Sequence, residues 1–157
     1  MIIKTGDMFE LSTGWVLATG NSCVRFNTSI VMGAGAAKEL QNRHPETPVI
    51  FGDMLARAKI PYGEDNMYQG RRYPRYGLML YPEKKCGLFQ TKYHWRRPSP
   101  VSLVEYSINM LTELAVQNPD TIFNVNYPGV GHGGLGRAEV APLIETMPDN
   151  VYVWKFR

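Results

Sequence analysis

The sequence predicts one α/β domain in which helices pack on a mixed sheet. Short apolar runs alternate with segments of helical periodicity along the chain, which is the pattern of this fold class. The length of 157 residues falls within the range of about 100–200 residues that is typical of one domain. A chain of this size buries about 68–70% of its unfolded surface, so it needs no disulfide or metal to hold its core. We therefore expect one domain over residues 1–157, without internal repeats.

The composition is that of a globular, weakly basic protein. Seventeen basic residues against 14 acidic residues give a formal net charge of +3. Cys23 and Cys86 form neither a disulfide framework nor a paired ligand motif, which favours reduced thiols in a cytoplasmic protein. The three histidines lack metal-ligand spacing, so we expect no metal and no cofactor. No apolar run approaches the ~18 residues of a membrane span, so we expect no membrane partner, and we expect a monomer.

The first elements are two strands and a helix. Ile2–Lys4 is predicted as a strand that ends at a Gly6-Asp7 turn. Trp15–Ala18 is a compact apolar run typical of a buried strand, and it leads into Gly20-Asn21. Residues 32–40 begin with glycines and continue with strong helix formers. This helix should stop at His44, because a residue that precedes proline avoids the α conformation.

Residues 46–76 give the weakest signal in the chain. A short helix is predicted over residues 51–58, and the rest is expected to be a long surface excursion. Its segment 68–76 interleaves tyrosines with arginines, a composition that suits single-stranded nucleic acid. Packing of these tyrosines on the domain is the alternative. Beyond this segment, Leu78–Tyr81 and Cys86–Gln90 are predicted to form a two-stranded hairpin around a Pro-Glu-Lys turn.

The clearest helix covers residues 99–116. Ser99 is its candidate N-cap, and Pro100 suits the first helical position. Its apolar face follows three- and four-residue steps through Val101, Val104, Ile108, Leu111 and Ala115. The chain is then predicted to continue with a strand over 121–126, a glycine-rich loop over 127–136, a helix over 137–147 and a strand over 151–156.

Two glycine-rich loops, residues 20–35 and 128–136, each lie between a predicted strand and a predicted helix. Missing side chains let the backbone approach an anion, and free N–H groups at a helix start point towards it. Two such loops suit a ligand with two phosphates held between strand ends. The second loop contains G-x-G-x-x-G, so a dinucleotide-binding Rossmann unit is the rival interpretation. That unit needs a further strand with an acidic residue about 20 positions on, whereas only one strand remains here. A P-loop is excluded, because no glycine-rich run ends in Gly-Lys-Ser/Thr.

Five blocks of the sequence together resemble the macro domain family. In order, they are residues 6–9, the strand into Asn21, residues 32–37, Thr91-Lys92-Tyr93-His94-Trp95-Arg96, and residues 128–136. The Thr-Lys-x-His-Trp-Arg block is similar to the branch that contains the DarG antitoxin and the terminal ADP-ribose protein glycohydrolase. The resemblance covers nearly the whole chain, and residues 46–76 least. It implies a three-layer α/β/α domain with a mixed central sheet and an ADP-ribose pocket at the carboxyl ends of the strands.

The resemblance also implies roles for particular residues. Asp7 matches the acidic residue that accepts a hydrogen bond from the adenine amino group, and Met8 beside it is expected to contact the ligand. Asn21 matches the asparagine near the distal ribose. Lys92, next to Thr91 in the site, matches the lysine that attacks or activates the anomeric carbon of that ribose. The backbone around the phosphates is expected from Gly33, Ala34, Gly35 and Ala36 and from Gly129, Val130, Gly131, His132, Gly133 and Gly134.

The implied activity is hydrolysis of a glycosidic bond between ADP-ribose and a nucleic-acid or protein acceptor. The chain departs from the family pattern in its second loop, where His132 replaces a cysteine and the aspartate that supports the lysine has no counterpart. The first loop is longer, through added residues around 25–28. A nucleophilic lysine must be partly neutral, through burial or nearby cations such as Arg96 and Arg97. An ADP-ribose-binding module without turnover and an ADP-ribose 1″-phosphate phosphatase remain alternatives.

Overall fold

The computed structural model describes residues 1–58, 60 and 62–156, so three positions of the predicted 1–157 domain lie outside the described residues. Its strands are β1 Ile2–Thr5, β2 Trp15–Gly20, β3 Tyr62–Tyr68, β4 Arg71–Pro74, β5 Leu78–Tyr81, β6 Cys86–Gln90, β7 Phe123–Asn126 and β8 Val151–Lys155. Six of them form one sheet in the order β1-β8-β7-β2-β6-β5. All neighbours in this sheet are parallel except β5, which pairs antiparallel with β6. The predicted mixed sheet is confirmed.

Helices cover both faces of this sheet. They are α1 Met8–Leu11, α2 Gly35–Arg43, α3 Thr47–Arg57, α4 Val101–Gln117 and α5 Arg137–Ile144. Successive residues of a strand point to opposite faces, and β2 shows this with Leu17 and Ala18. Leu17 belongs to the apolar cluster that contains the buried residues of α4 and α5, while Ala18 belongs to the cluster of α2 and α3. The three-layer α/β/α architecture is therefore confirmed.

The middle of the chain is more regular than the sequence indicates. Helix α3 begins at Thr47, four residues before the predicted start, with Pro48 in its first turn, where the missing N–H is tolerated. Strands β3 and β4 form a separate antiparallel hairpin in place of the expected surface excursion. Its turn residues Gln69 and Gly70 both have positive φ, at 50° and 74°, as in type I′ turns. The hairpin lacked a sequence signal because β3 shows no apolar alternation.

The start of α4 also differs from the prediction. Pro100, not Ser99, is the N-cap residue, and no side chain caps the helix. The Ser99 amide instead donates to the Gly133 carbonyl at 2.8 Å, which ties it to the second glycine-rich loop. Val101 is exposed, so the apolar face of α4 begins at Leu103 and Val104. None of the described helices combines the length and apolar character needed to cross a membrane.

Candidate functional site

A cavity of about 830 Å³ opens at the carboxyl ends of β2, β6 and β7. Strand β2 lies between the other two and is parallel to both, so the loops that follow these strands meet at one edge of the sheet. The lining comes from residues 19–21, 33–37, 91–92 and 129–133, with Cys23, Arg25, Val31, Trp95 and Asn126. The volume lies within the range of about 300–1,000 Å³ that is usual for small-molecule sites.

Most of the residues that the resemblance singled out lie on this cavity. They are Asn21, Gly33, Ala34, Gly35, Ala36, Thr91, Lys92, Gly129, Val130, Gly131, His132 and Gly133. Asp7, Met8 and Gly134 are not on its lining. The Asp7 carboxylate accepts from the backbone N–H of Phe9 at 3.0 Å and caps α1, while the Met8 side chain is buried in the core. Their proposed contacts with a ligand stay predictions.

Asn126 and Thr19, which sequence reasoning missed, join two strand ends on the cavity wall. The Asn126 Oδ1 atom accepts from the Thr19 amide at 2.9 Å, and its Nδ2 donates to the Thr19 hydroxyl at 2.8 Å. The last paired residues of β2 and β7 are Leu17 and Val125. The bonds between Thr19 and Asn126 therefore connect the two strands beyond the end of their backbone pairing. A polar residue at the end of each apolar strand was the available signal.

Asn21 organises the first loop through its side chain. Its Oδ1 atom accepts from the Cys23 amide at 2.9 Å, and its Nδ2 donates to the Val31 carbonyl at 3.0 Å. These bonds hold both ends of the loop beside the cavity. The buried Tyr76 hydroxyl in turn donates to the Asn21 carbonyl at 2.8 Å. Burial raises the pKa of Tyr76 far above its usual value, so this hydroxyl stays a donor.

The two glycine-rich loops present backbone to the cavity. Helix α2 begins there with Ala34 as its N-cap, and no side chain caps the helix. Its first N–H groups are therefore directed at the space where an anion would be stabilised. In the second loop, Gly129 and Gly131 have φ of 77° and 67°, left-handed values that residues other than glycine adopt only with strain. A Cβ on Gly131 would meet no atom within 4 Å, so its backbone borders open space.

Lys92 lies two residues beyond the end of β6, at this edge of the sheet. Its backbone amide donates to the Gly20 carbonyl at 3.2 Å, and its Nζ atom donates to the Trp95 carbonyl at 3.2 Å. Burial lowers the pKa of Lys92 below the usual lysine value. The expected field of Arg96 and Arg97 is not the cause of this shift, because their charges do not enter it. Partial burial therefore favours the neutral amine that nucleophilic chemistry requires.

Gln90 fixes the backbone of Lys92 from inside the protein. Its wholly buried side chain accepts from the Tyr76 and Gly77 amides at 2.7 and 2.9 Å. The Nε2 atom donates to the carbonyls of Pro74 at 3.0 Å and of Lys92 at 3.2 Å. The amide thus connects the segment before β5 with the lysine. The sequence shows only an isolated glutamine after an apolar strand, which is no signal for this role.

His94 packs the segment after Lys92 against the β3–β4 hairpin. Its ring centroid lies 4.2 Å from that of Tyr68 and 5.5 Å from those of Tyr73 and Trp95. Its Nδ1 atom accepts from the Arg96 amide at 3.1 Å. Burial lowers the pKa of His94, with help from nearby arginine charges, so the ring is neutral at pH 7. Trp95, by contrast, lines the cavity and is 46% exposed.

The described residues contain no group of three or more His, Cys, Asp or Glu side chains that could hold a metal ion. The described lining of the cavity also contains no carboxylate. Its charged side chains are those of Arg25 and Lys92, with His132 as a further titratable group. The lining therefore suits a ligand with negative charge, which it would hold through backbone N–H groups and cations.

No protein-family profile matches the chain. A curated protein of Thermosipho africanus, described as a DNA ADP-ribosyl transferase–DNA ADP-ribosyl glycohydrolase fusion protein, is 27% identical over 129 residues. This match covers 77% of the present chain and 33% of that protein, so the chain spans about a third of the length of the curated relative.

Solved structures show the same fold. The macrodomain of Thermus aquaticus DarG matches with a TM-score of 0.66 and 23% identity, over 99% of this chain and 97% of that one. Thermosipho africanus DarTG in complex with ADP-ribose matches with a TM-score of 0.67 and 21% identity, over 98% of this chain and 41% of that one. The chain has the macrodomain fold and is similar to DarG macrodomains, as the sequence blocks indicate.

Proposed function

On the premise of this macrodomain fold, we propose that the protein binds ADP-ribose and hydrolyses the bond that joins its distal ribose to an acceptor. The observation that carries the proposal is the cavity itself, where two glycine-rich loops and a partly buried lysine meet. The complex of a similar fold with ADP-ribose supports the choice of ligand. The name of the curated relative supports DNA as the acceptor.

The pyrophosphate would lie between the two glycine-rich loops. The uncapped N-terminus of α2 supplies N–H groups on one side, and residues 129–133 supply backbone on the other. The distal ribose would then lie towards Lys92 and Asn21, which follow β6 and β2 at the same edge. Asp7 would reach the adenine from beyond the carboxyl end of β1, which is separated from β7 by β8.

Lys92 would supply the chemistry. Its neutral Nζ attacks the anomeric carbon, the glycosidic bond breaks, and the acceptor leaves with the bonding electrons and takes up a proton released by the amine. Water then adds at the same carbon, which frees ADP-ribose and restores the amine. Removal of the lysine should act on the chemical step rather than on binding, because this attack occurs only in the transition state.

A binding module without turnover is the second candidate. It is favoured by the absence of a carboxylate from the described lining, since no acidic side chain is there to assist proton transfer. In that case Lys92 would contact the ligand only as a hydrogen-bond donor.

The test compares Lys92→Ala with Lys84→Ala, an exposed lysine on the turn between β5 and β6 at the opposite edge of the sheet. We expect Lys92→Ala to lower turnover of ADP-ribosylated DNA at least about 100-fold, or about 2.7 kcal/mol, with little change in ADP-ribose affinity. Lys84→Ala should change neither. Full activity in Lys92→Ala would refute the mechanism. A wild type that binds ADP-ribose but releases none from DNA or protein, and no phosphate from ADP-ribose 1″-phosphate, would establish the binding module.

A further inference from the structure

The added residues of the first loop form a small, well-ordered hairpin beside the cavity. Val24 and Ile30 form an antiparallel bridge, and the Arg25 amide donates to the Ser29 carbonyl at 2.7 Å. The Asn27 Oδ1 atom accepts from both the amide and the hydroxyl of Ser29, at 3.2 and 2.6 Å. This loop therefore has one defined shape, which holds its tip in a fixed place.

The hairpin is also fastened to the body of the domain. The Ile30 amide donates to the Pro48 carbonyl of α3 at 2.9 Å. Gly52 of the same helix lies directly against the loop, because a Cβ there would come within 1.8 Å of the Thr28 carbonyl oxygen. Such close backbone packing leaves the hairpin little freedom to fold its tip inwards.

The tip carries Phe26, whose side chain is fully exposed, with a relative accessibility of 109%. It directly follows Arg25, which lines the cavity, so the tip of the hairpin lies next to the lining. Trp95 offers a second exposed ring there, and the Arg96 guanidinium lies 4.8 Å from its centroid. A single exposed aromatic residue would need no explanation, but two at the mouth of one cavity suggest a contact surface.

Arginine charges converge on the same mouth. The pKa of Cys23, raised mainly by burial, is lowered in part by the charges of Arg71 and Arg25. The charges of Arg96 and Arg71 likewise help to lower the pKa of His94. Arg71, on β4, therefore lies near both Cys23 and His94.

The structure also shows which tyrosines cannot serve as a stacking surface. Tyr73 and Tyr76 of the aromatic and basic segment 68–76 are 7% and 4% exposed, and both pack in apolar clusters. Tyr68 is half-buried and packs against the apolar cluster of Tyr73, Tyr93 and Leu103. The packing alternative therefore holds for these three tyrosines, and the exposed rings next to the cavity lining are those of Phe26 and Trp95.

We propose that Phe26, Trp95, Arg25, Arg71 and Arg96 form an acceptor rim that holds a single-stranded nucleic acid across the mouth of the cavity. Bases stack on the two exposed rings, and the arginines contact phosphates, as in sites that bind single strands without sequence preference. The rim rests on the proposed function and extends it, by assigning the acceptor contacts to side chains that are not among those proposed to hold ADP-ribose. Its affinity for an unmodified strand does not depend on turnover.

The test measures fluorescence anisotropy of a labelled single-stranded DNA of about 12 nucleotides, within the usual range of site sizes. Phe26→Ala and Trp95→Ala should each weaken binding by roughly 5- to 150-fold, the loss expected for one stacked base. Phe26→Tyr should restore it, because the ring is kept. Val116→Ala is the control, since this exposed valine lies at the end of α4 that leads into the amino end of β7, away from the cavity.

Two further measurements separate this proposal from the proposed function. Calorimetry should show that Phe26→Ala keeps the ADP-ribose affinity of the wild type, and Arg71→Ala should reduce the salt dependence of strand binding by about one charge. Strand affinity that is absent, or unchanged in Phe26→Ala and Trp95→Ala, would overturn the rim. If these variants lose turnover of an ADP-ribosylated protein but not of ADP-ribosylated DNA, the rim contacts a protein acceptor instead. Strand binding through Phe26 without any ADP-ribose binding would leave the rim intact and refute the proposed function.

Discussion

Replacing Gln90 with methionine tests two effects of this side chain, which are its contribution to the stability of the fold and its placement of Lys92. Methionine keeps much of the volume but removes four hydrogen bonds, two of them to the buried amides of Tyr76 and Gly77. Each unpaired buried donor costs about 1–3 kcal/mol, so the two amides together imply a loss of about 2–6 kcal/mol. This is a large fraction of the 5–15 kcal/mol by which domains are usually stable.

Asn124→Leu is the matched control for Gln90→Met. Asn124 is equally buried, donates to the carbonyls of Thr13 and Trp15 at 2.6 and 2.9 Å, and accepts from the Trp154 Nε1–H at 2.9 Å. These contacts include the start of β2, at the edge of the sheet opposite to the cavity. Its loss should therefore destabilise the domain without changing the site.

Urea denaturation and steady-state kinetics test this pair of variants. Both should unfold at lower urea concentration, and both should be assayed where they remain folded. Only Gln90→Met should lower kcat, because only Gln90 holds the Lys92 carbonyl, and its affinity for ADP-ribose should stay near that of the wild type. A stability loss below about 1 kcal/mol would refute the hydrogen-bond reasoning. An equal fall of kcat in Asn124→Leu would refute the positioning role.

Three more predictions concern the cavity. Gly33→Ala should lower the affinity for ADP-ribose at least about tenfold, which corresponds to the loss of one hydrogen bond to a charged group. It should leave Tm nearly unchanged, because a Cβ at this position meets only Val31 at 3.8 Å. Gly136 lies outside the lining, so Gly136→Ala should bind ADP-ribose normally. Weak ADP-ribose binding in Gly136→Ala, or normal binding in Gly33→Ala, would contradict the placement of the first loop. ADP-ribose should slow the alkylation of Cys23, which lines the cavity. It should not change the alkylation of Cys86, which is buried and whose pKa is raised by burial to about 11. Equal rates of Cys23 alkylation with and without ADP-ribose would argue against binding in the cavity. For turnover by neutral Lys92, kcat should rise with pH, and the midpoint of the rise should lie below about 10.4 because burial lowers the lysine pKa; a fall of kcat over this range would indicate that the charged form acts instead.

Local patterns in the sequence predicted the elements of the sheet. The hairpin of β5 and β6 was predicted with its observed bounds, because two apolar runs flank a proline-containing turn. Helix α2 begins at Gly35, three residues after the predicted start at Met32, and ends at Arg43, before the His44-Pro45 pair that was predicted to stop it. Most residues of the cavity lining were indicated by the resemblance, since their loops follow the ends of parallel strands that only the fold brings together.

Other features depend on contacts between distant residues and left no signal in the sequence. Gln90 is a satisfied buried amide only because the segment before β5 passes beside it. Ser99 was expected to cap α4, yet its amide donates to Gly133 and its buried hydroxyl has no hydrogen-bond partner among the described residues. The exposure of Phe26 follows from the packing of its hairpin on α3, where Gly52 allows close approach.

Isothermal titration of the wild-type protein with ADP-ribose tests the central claim most directly. Two glycine-rich loops on one cavity, with the uncapped start of α2 between strand ends, predict a saturable signal with one ADP-ribose per chain. NAD should bind more weakly, because its nicotinamide would occupy the space beside Lys92 where the acceptor is expected. No heat with ADP-ribose, together with tight binding of NAD, would contradict the account and favour a dinucleotide site of the Rossmann type.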